Sequence, residues 1–584
     1  MLSFLTAWMN MYFRVMLIFL FATMARAESY VAPEPSTGLA KLAHAQGKHG
    51  MVAAANPYAA RAAMTMLQKG GNAVDAAIAA QMVLNLVEPQ SSGIGGGAFL
   101  LYYSGETGNI VAFDGRETAP AADNPSLFLD SKGAPLKFYD AVIGGKSVGV
   151  PGTLRMLEAA HKKYGRLPWA ALFMPAIDLC EKGFRVSPRL HMLLEKDKFL
   201  RLDAKANAYF YRQDGKAKKA GEILKNPDLA RVFRGIAENG ADAFYRGSIA
   251  DDIVNAVRNR KKNPGYMTLS DLEGYRAMER RPLCGNYRNY KICGIPPPSS
   301  GGETVLQIMG IISNFDLGEK PESAESVHIV SEAERLAFAD RDRYLADPDF
   351  SPIPLSGLLD PAYVKSRAML IDRHAAMERV MPGNPPGSET VKTSGARAME
   401  FHSTSHLSIV DRDGNAVSMT TSIEDGFGSR VMVDGFLLNN ELTDFSFLPE
   451  KDGMPVANRV EAGKRPRSSM SPTFVFDEKG RLYAVLGSPG GPFIIDIVAK
   501  TLVALLYWHM SMADSIALPN FGSIGGPLLL ESDTPVVLLQ PALERMGHPV
   551  MTRELNSGVH GIESMSVGWE GAADPRREGI AIGY

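Results

Sequence analysis

Cysteine is nearly missing from this chain: Cys180, Cys284 and Cys293 are the only three in 584 residues. Three thiols cannot build a disulfide framework or a four-cysteine metal centre. No C-x-x-C pair and no H-E-x-x-H run occurs. His402 and His406 have no acidic residue at ligand spacing, so no metal is expected. A G-x-S-x-G elbow is also missing. Gly93-Ile94-Gly95-Gly96-Gly97 lacks the Lys-Ser/Thr of a phosphate loop and the dinucleotide fingerprint, which leaves a tight loop and no cofactor to expect. Neither charge sign dominates: 62 basic residues face 64 acidic ones, for a net charge of -2. That balance excludes a nucleic-acid-binding or polybasic membrane surface. Aromatics make up only 8% and no tandem period is present, which argues against a propeller or lectin-like architecture. Past residue 27 no apolar run approaches the roughly 20 residues of a stable membrane span, and Thr501 to Trp508 has the length of a buried helix.

What is present begins with a leader. Arg14 precedes the apolar run Val15 to Met24, and Ala25-Arg26-Ala27 is an A-x-A cleavage site, although Met11 could be the true start. Residues 1–27 are therefore read as a secretion signal and the mature protein as periplasmic or secreted. Export permits disulfides, and Cys284 and Cys293 bracket a hairpin-like segment, Gly285 to Asn289; whether they pair is open. The length calls for two to four domain-sized units.

Helical spacing starts at Pro57, with Ala59, Ala62, Ala63, Met66 and Leu67 on one face, and stops at Gly70-Gly71. Ala73 to Leu86 is apolar on nearly all sides, the mark of a buried helix. Ala98 to Tyr103 and Ile110 to Phe113 read as strands, and residues 152–315 as mainly helical. Residues 370–403 are polar and bear Pro382, Pro385 and Pro386, the composition of a mobile or cleavable linker. The pattern then alternates: His406 to Val410 and Ala416 to Ser422 flank Asp413-Gly414, a strong hairpin signal. Strands are expected near Phe436 to Leu438, Thr473 to Phe476 and Leu482 to Leu486, and helices over 493–509 and 540–547.

With Asp413 and Gly414 as the two turn residues, Thr404 pairs with Ile423 and has Ser422 and Glu424 beside it. A hydroxyl next to a free α-amine is a nucleophile with its own base, since such an amine titrates near neutral pH. That chemistry requires a chain end at Thr404, and the linker supplies slack for a scission. On pattern alone the stronger reading is that Thr404 merely begins an ordinary strand, where β-branched residues are common. Further candidates follow downstream. Asn439 to Asp444 sets amides and carboxylates after an apolar strand. Ser468 and Ser469 follow the basic turn Lys464 to Arg467. The backbone N–H groups of Gly490 and Gly491 could cradle an oxyanion. Upstream, Arg116 stands at a strand end, where its fork could grip a carboxylate. Arg116 for a carboxylate, with Asp444 and Glu424 for an ammonium, are the charges an α-amino acid head group needs.

In order, the segments Glu88 to Gly97, Phe113 to Glu117, Thr404-Ser405-His406-Leu407-Ser408, Leu438 to Phe445, Arg465 to Thr473 and Gly487-Ser488-Pro489-Gly490-Gly491 resemble the gamma-glutamyltransferase family of N-terminal-nucleophile hydrolases. The likeness runs from about residue 45 to the C-terminus. It implies an α+β fold, a four-layer αββα sandwich formed jointly by two autocleavage fragments, 28–403 and 404–584. It implies Thr404 as nucleophile and new N-terminus, with Ser422 where the family has a supporting threonine. Arg116, Ser468 and Ser469 would bind the γ-glutamyl α-carboxylate, Asp444 and Glu424 its amine, and Gly490 and Gly491 would form the oxyanion hole. The implied reaction moves a γ-glutamyl group from glutathione or a related amide to water, an amino acid or a peptide. No tyrosine lid is evident between Asp444 and Ser468. Two alternatives stand beside this reading: a glutaryl or cephalosporin-type acylase of the same family, and an uncleaved, non-catalytic binding protein.

Overall fold

In the computed structural model, residues 41–396 and 403–584 are described. The leader therefore lies outside the described residues, as does the end of the linker before Ser403. Two seven-stranded sheets, antiparallel throughout, form the centre. The first runs in the order 580–583, 51–54, 403–410, 416–424, 97–103, 110–115 and 278–280. The second runs 43–47, 569–573, 560–564, 482–487, 473–476, 290–294 and 283–287. Residues on either side of position 404 contribute strands to both sheets.

Helices cover the outer faces. Pro57–Gln68 starts at Asn56, whose side chain accepts from Tyr58 N–H, and has proline in its first turn, where a missing N–H costs nothing. Gly70, at φ +88, closes it in the left-handed region. Ala73–Val87 opens with an Asn72/Asp75 capping box, and all 15 of its residues are buried. These helices pack with Leu407, Ile409, Val417 and Met419 of the first sheet in one apolar cluster. On the other side, Gly301–Ile312 and Phe493–Leu506 cluster with Phe474, Val485 and Ile292 of the second sheet. The layers are helix, sheet, sheet, helix, the expected αββα sandwich.

Alternation sends the opposite side chains of the central hairpin between the sheets, and several of these are polar. His406 Nδ1 meets Thr420 Oγ1 at 2.8 Å, Ser408 Oγ donates to His560 O at 2.8 Å, and Ser418 Oγ donates to Leu486 O at 3.0 Å. Each hydroxyl is buried and paired, so this seam ties the sheets together in register at little desolvation cost. Thr404 lies at its end.

The stretch 152–315 is mainly helical, as expected, but between its helices Leu269–Gly274 and Gly301–Ile312 lie strands Met278–Arg280, Leu283–Tyr287 and Tyr290–Gly294, which extend one edge of each sheet. Cys284 and Cys293 face each other across the last two strands and form a disulfide. The described part of the linker is irregular but pinned: Gly383 N–H donates to Asp340 Oδ1 at 2.7 Å, and Arg343 to Thr393 O at 2.7 Å. Among the described residues no helix is long and apolar enough to cross a membrane.

Candidate active site

The hairpin register differs by one residue from the expectation, and the difference improves the site. Asp411 N–H bonds Asn415 O, Asp411 Oδ1 accepts from Asp413 and Asn415 N–H, and Gly414 sits at φ +77. The loop is therefore three residues, Arg412-Asp413-Gly414, with glycine at its left-handed position. Thr404 then pairs with Ser422 rather than Ile423, which puts both side chains on one face. Thr404 Oγ1 and Ser422 Oγ are 3.4 Å apart.

Ser422 is fully engaged. It donates to Ser403 O at 2.8 Å and accepts from Glu424 N–H at 2.8 Å. A register shift between Ser403 and Thr404 breaks the ladder there, and bulges of this kind re-aim side chains beside active sites. Arg577 donates to Thr404 O at 3.1 Å, and Ser403 Oγ donates to Gln90 O. The backbone around Thr404 is thus held from both sides.

Glu424 ends its strand at φ +76, a conformation costly for a side-chain-bearing residue. What holds it is local. Asn440 Nδ2 donates to Glu424 Oε2 at 2.5 Å, and Asp425 N–H donates to Asn440 Oδ1 at 3.0 Å. The buried Arg430 clamps the next turn by pairing with Asp425 and Asp197 at 2.6 and 2.8 Å.

Arg116 follows strand Ile110–Gly115 as expected and is fully buried. Its fork, however, meets the protein's own carboxylates. It donates to Glu441 Oε1, to Asp444 Oδ2 at 2.5 Å, and to the carbonyls of Pro466 and Arg467 at 3.1 and 2.9 Å. Burial works to lower its pKa, but Glu441, Asp444 and Glu117 outweigh burial and raise it. Burial, and then Glu441, push the Glu117 carboxyl well above its ordinary range. Glu441 and Asp444 share one 3₁₀ turn, Glu441–Asp444, in which residues three apart align on one face. That i, i+3 carboxylate spacing was legible in the sequence, yet Glu441 was not among the expected site residues. Asn440, Arg577 and Arg341 were also missed, because their roles arise from contacts distant in sequence.

Ser468 and Ser469 lie opposite. Ser468 Oγ accepts from Met470 N–H at 3.1 Å, and Ser469 Oγ accepts from Arg341 at 2.6 Å. The loop before helix Phe493–Leu506 holds Gly490 at φ +140 and Gly491 at φ +58, conformations that favour glycine. One pocket of about 260 Å³ is lined by Thr404, Ser422, Arg116, Glu424, Glu441, Asp444, Ser468, Ser469 and Gly491. Gly490 is the one expected site residue that does not line it. No cluster of three or more His, Cys, Asp or Glu side chains suited to a metal occurs among the described residues.

A buried threonine hydroxyl on a central strand, inside an αββα sandwich built from both sides of that threonine, defines an N-terminal-nucleophile hydrolase fold. The gamma-glutamyltranspeptidase family model matches residues 59–584, and the chain belongs to that family of enzymes. The glutathione hydrolase proenzyme of Bacillus subtilis (strain 168) is 38% identical over 553 residues, covering 92% of each chain. That of Escherichia coli (strain K12) is 37% identical over 559 residues, again covering 92% of each. The crystal structure of cephalosporin acylase from Bacillus halodurans superposes with a TM-score of 0.80 at 28% identity, covering 95% of this chain and 98% of that one.

Proposed function

We propose that the chain is an exported proenzyme that cuts itself between Ser403 and Thr404. The two fragments, 28–403 and 404–584, then act together as a γ-glutamyltransferase and glutathione hydrolase. The observation that carries this reading is the single pocket joining the Thr404 and Ser422 hydroxyls to Arg116 and the carboxylates Glu424, Glu441 and Asp444.

In the uncut chain Thr404 Oγ1 attacks the carbonyl carbon of Ser403. The carbonyl oxygen gains negative charge, and Ser422, already donating to it at 2.8 Å, stabilises that charge. The hydroxyl proton of Thr404 passes to its peptide nitrogen as the bond from that nitrogen to the Ser403 carbonyl carbon breaks. This leaves an ester on Thr404 Oγ1 and a free α-amine, and water hydrolyses the ester. In turnover the amine takes the proton from Thr404 Oγ1, and the oxygen attacks the γ-carbonyl of the donor. The developing oxyanion is met by the N–H groups of Gly490 and Gly491. The leaving amine takes the proton, and a glutamyl ester remains for water, an amino acid or a peptide to resolve. Arg116, Ser468 and Ser469 receive the donor's α-carboxylate, while Glu424, Asp444 and Glu441 face its ammonium.

The acylase reading shares the nucleophile but takes a glutaryl side chain, which has no ammonium. Glu441 and Asp444 already share one cation, Arg116. The ammonium of a glutamyl donor adds a second positive charge beside them and Glu424, whereas a glutaryl group adds only negative charge, which favours the glutamyl substrate. Export is supported by the leader and by the Cys284–Cys293 disulfide, a bond typical of oxidising compartments. Mass analysis of the purified protein should find a fragment beginning at Thr404. That protein should hydrolyse γ-glutamyl-p-nitroanilide far faster than glutaryl-p-nitroanilide. An intact 403–404 bond in active protein, or the reverse preference, would overturn the reading.

A further inference from the structure

The turn Glu88 to Ser92 opens a Gly-rich loop that takes no part in the pocket chemistry, yet it holds the residue just before the cut. Ser91 and Ser92 N–H both donate to Glu88 O, at 2.9 and 3.3 Å. Gln90 Nε2 donates to Glu88 Oε2 at 2.6 Å, and Asn56 Nδ2 donates to Glu88 Oε1 at 3.4 Å. These bonds fix the Gln90 carbonyl, which accepts two donors: Phe427 N–H at 3.1 Å and Ser403 Oγ. Ser91 Oγ lies 3.4 Å from Ser403 Oγ. Gln90, Ser91 and Ser403 are all buried, so solvent does not compete for these groups.

The same loop fixes the group that faces the scissile carbonyl. It runs into strand Gly97–Tyr103, where Gly97 pairs with Ser422. A Cβ on Gly96 would strike Ser422 O, so backbone packs directly on backbone there. One stretch, 88–97, thus positions both the Ser403 side chain and Ser422, whose hydroxyl donates to Ser403 O at 2.8 Å.

The strand ladder does not supply this alignment. The register shift between Ser403 and Thr404 interrupts the pairing that would otherwise hold their peptide. Attack by Thr404 Oγ1 needs the carbonyl carbon turned toward that hydroxyl and the carbonyl oxygen turned toward Ser422. With the Ser403 side chain anchored, the rotation left to set is that about its own Cα–C bond, and Ser422 Oγ sets it.

Building on the self-cleavage reading above, we propose that the Ser403 hydroxyl is a positioning group for the cut. Seated on Gln90 O, it holds the scissile carbonyl between Ser422 and Thr404 Oγ1 in the precursor. It serves maturation alone: Ser403 does not line the substrate pocket, and after the cut it no longer shares a peptide bond with the nucleophile.

The test separates maturation from turnover. Full-length Ser403→Ala precursor should split at least about tenfold more slowly than the parent on a denaturing gel, the scale on which lost alignment of reacting groups acts. Ser403→Thr keeps the hydroxyl and should recover most of the rate. Once cut, Ser403→Ala should hydrolyse γ-glutamyl-p-nitroanilide with kcat and KM within about twofold of the parent, per mole of cut protein. Gln90 O keeps its bond from Phe427 N–H, so adding Ser403→Ala to the uncut Thr404→Ala chain should move its thermal midpoint by only a few degrees.

A folded Ser403→Ala precursor that splits within about tenfold of the parent rate would overturn the proposal. So would equal slowing of the Ala and Thr variants, or a turnover loss in cut Ser403→Ala as large as its maturation loss. If Ser403→Ala does not fold, Ser403→Cys has similar volume but a weak donor, and it should split more slowly than Ser403→Thr; equal rates would again overturn the proposal. A parent chain never cut between 403 and 404 would instead sink the functional reading itself.

Discussion

Replacing Ser422 by alanine separates two views of its hydroxyl. The hydroxyl donates to Ser403 O at 2.8 Å and accepts from Glu424 N–H at 2.8 Å. If it were merely one more ground-state hydrogen bond, its loss would cost about 0.5–1.5 kcal/mol, and self-cleavage would slow at most about tenfold. If it stabilises the oxyanion that forms on Ser403 as Thr404 attacks, the loss is that of an oxyanion donor, about 3–4 kcal/mol. The slowing is then on the order of 10²–10³. The assay follows purified precursor over time on a denaturing gel and fits the rate at which the band splits. Ser422→Thr should process near the normal rate, because it keeps the oxygen and adds one methyl group. Thermal unfolding of the Ala variant should stay within a few degrees of the parent. A Ser422→Ala precursor that is folded and splits within tenfold of the normal rate would refute the oxyanion role.

Thr404→Ala should leave one uncut chain with no turnover, and N-terminal analysis revealing a new end at residue 404 would contradict this. Glu441→Gln should keep the hydrogen bond to Arg116 while removing a charge from the ammonium site. KM for a γ-glutamyl donor should rise roughly tenfold, and the penalty against a glutaryl donor should shrink; equal effects on both donors would exclude the ammonium role. Stability should also track His560, pushed down to about 3 chiefly by burial, against an ordinary value near 6.5. Its stabilising contribution is present above pH 6.5 and is lost as pH falls toward 3, because only the unfolded chain then takes up the proton. Between pH 6.5 and 4.5 this amounts to roughly 2–3 kcal/mol, so His560→Asn should flatten that limb of a denaturation profile; an unchanged slope would refute it. Cys284→Ser with Cys293→Ser should cost about 2–3 kcal/mol from the short closed loop, read as a lower denaturant midpoint.

Much of the frame was legible in local pattern. The Asn72/Asp75 cap, the all-apolar run after it, and the alternation flanking Asp413-Gly414 mark elements whose determinants lie within a few residues of each other. The errors came where one residue of turn chemistry decides. Asp413-Gly414 reads as a two-residue turn, but Asp411 captures the N–H groups of Asp413 and Asn415 and makes the loop three residues long. The strands within 278–294 were underestimated because they are short and partly exposed edge segments, whose pairing depends on sheets assembled from distant parts of the chain.

The site divides in the same way. Thr404, Arg116, Glu424, Asp444, Ser468, Ser469 and the Gly490-Gly491 turn stand in motifs that sequence alone could present as candidates. So do the linker before Thr404 and the leader. Which of them meet, and with what charge, was decided by tertiary contacts. The sheet register put Ser422 on Thr404 and on the carbonyl of Ser403. The 3₁₀ turn brought Glu441 with Asp444 onto Arg116, turning an expected open fork into a shared one. Arg341 reached Ser469 across 128 positions of chain. Such couplings follow from distance and desolvation in the folded interior, and neither quantity is written in the order of residues.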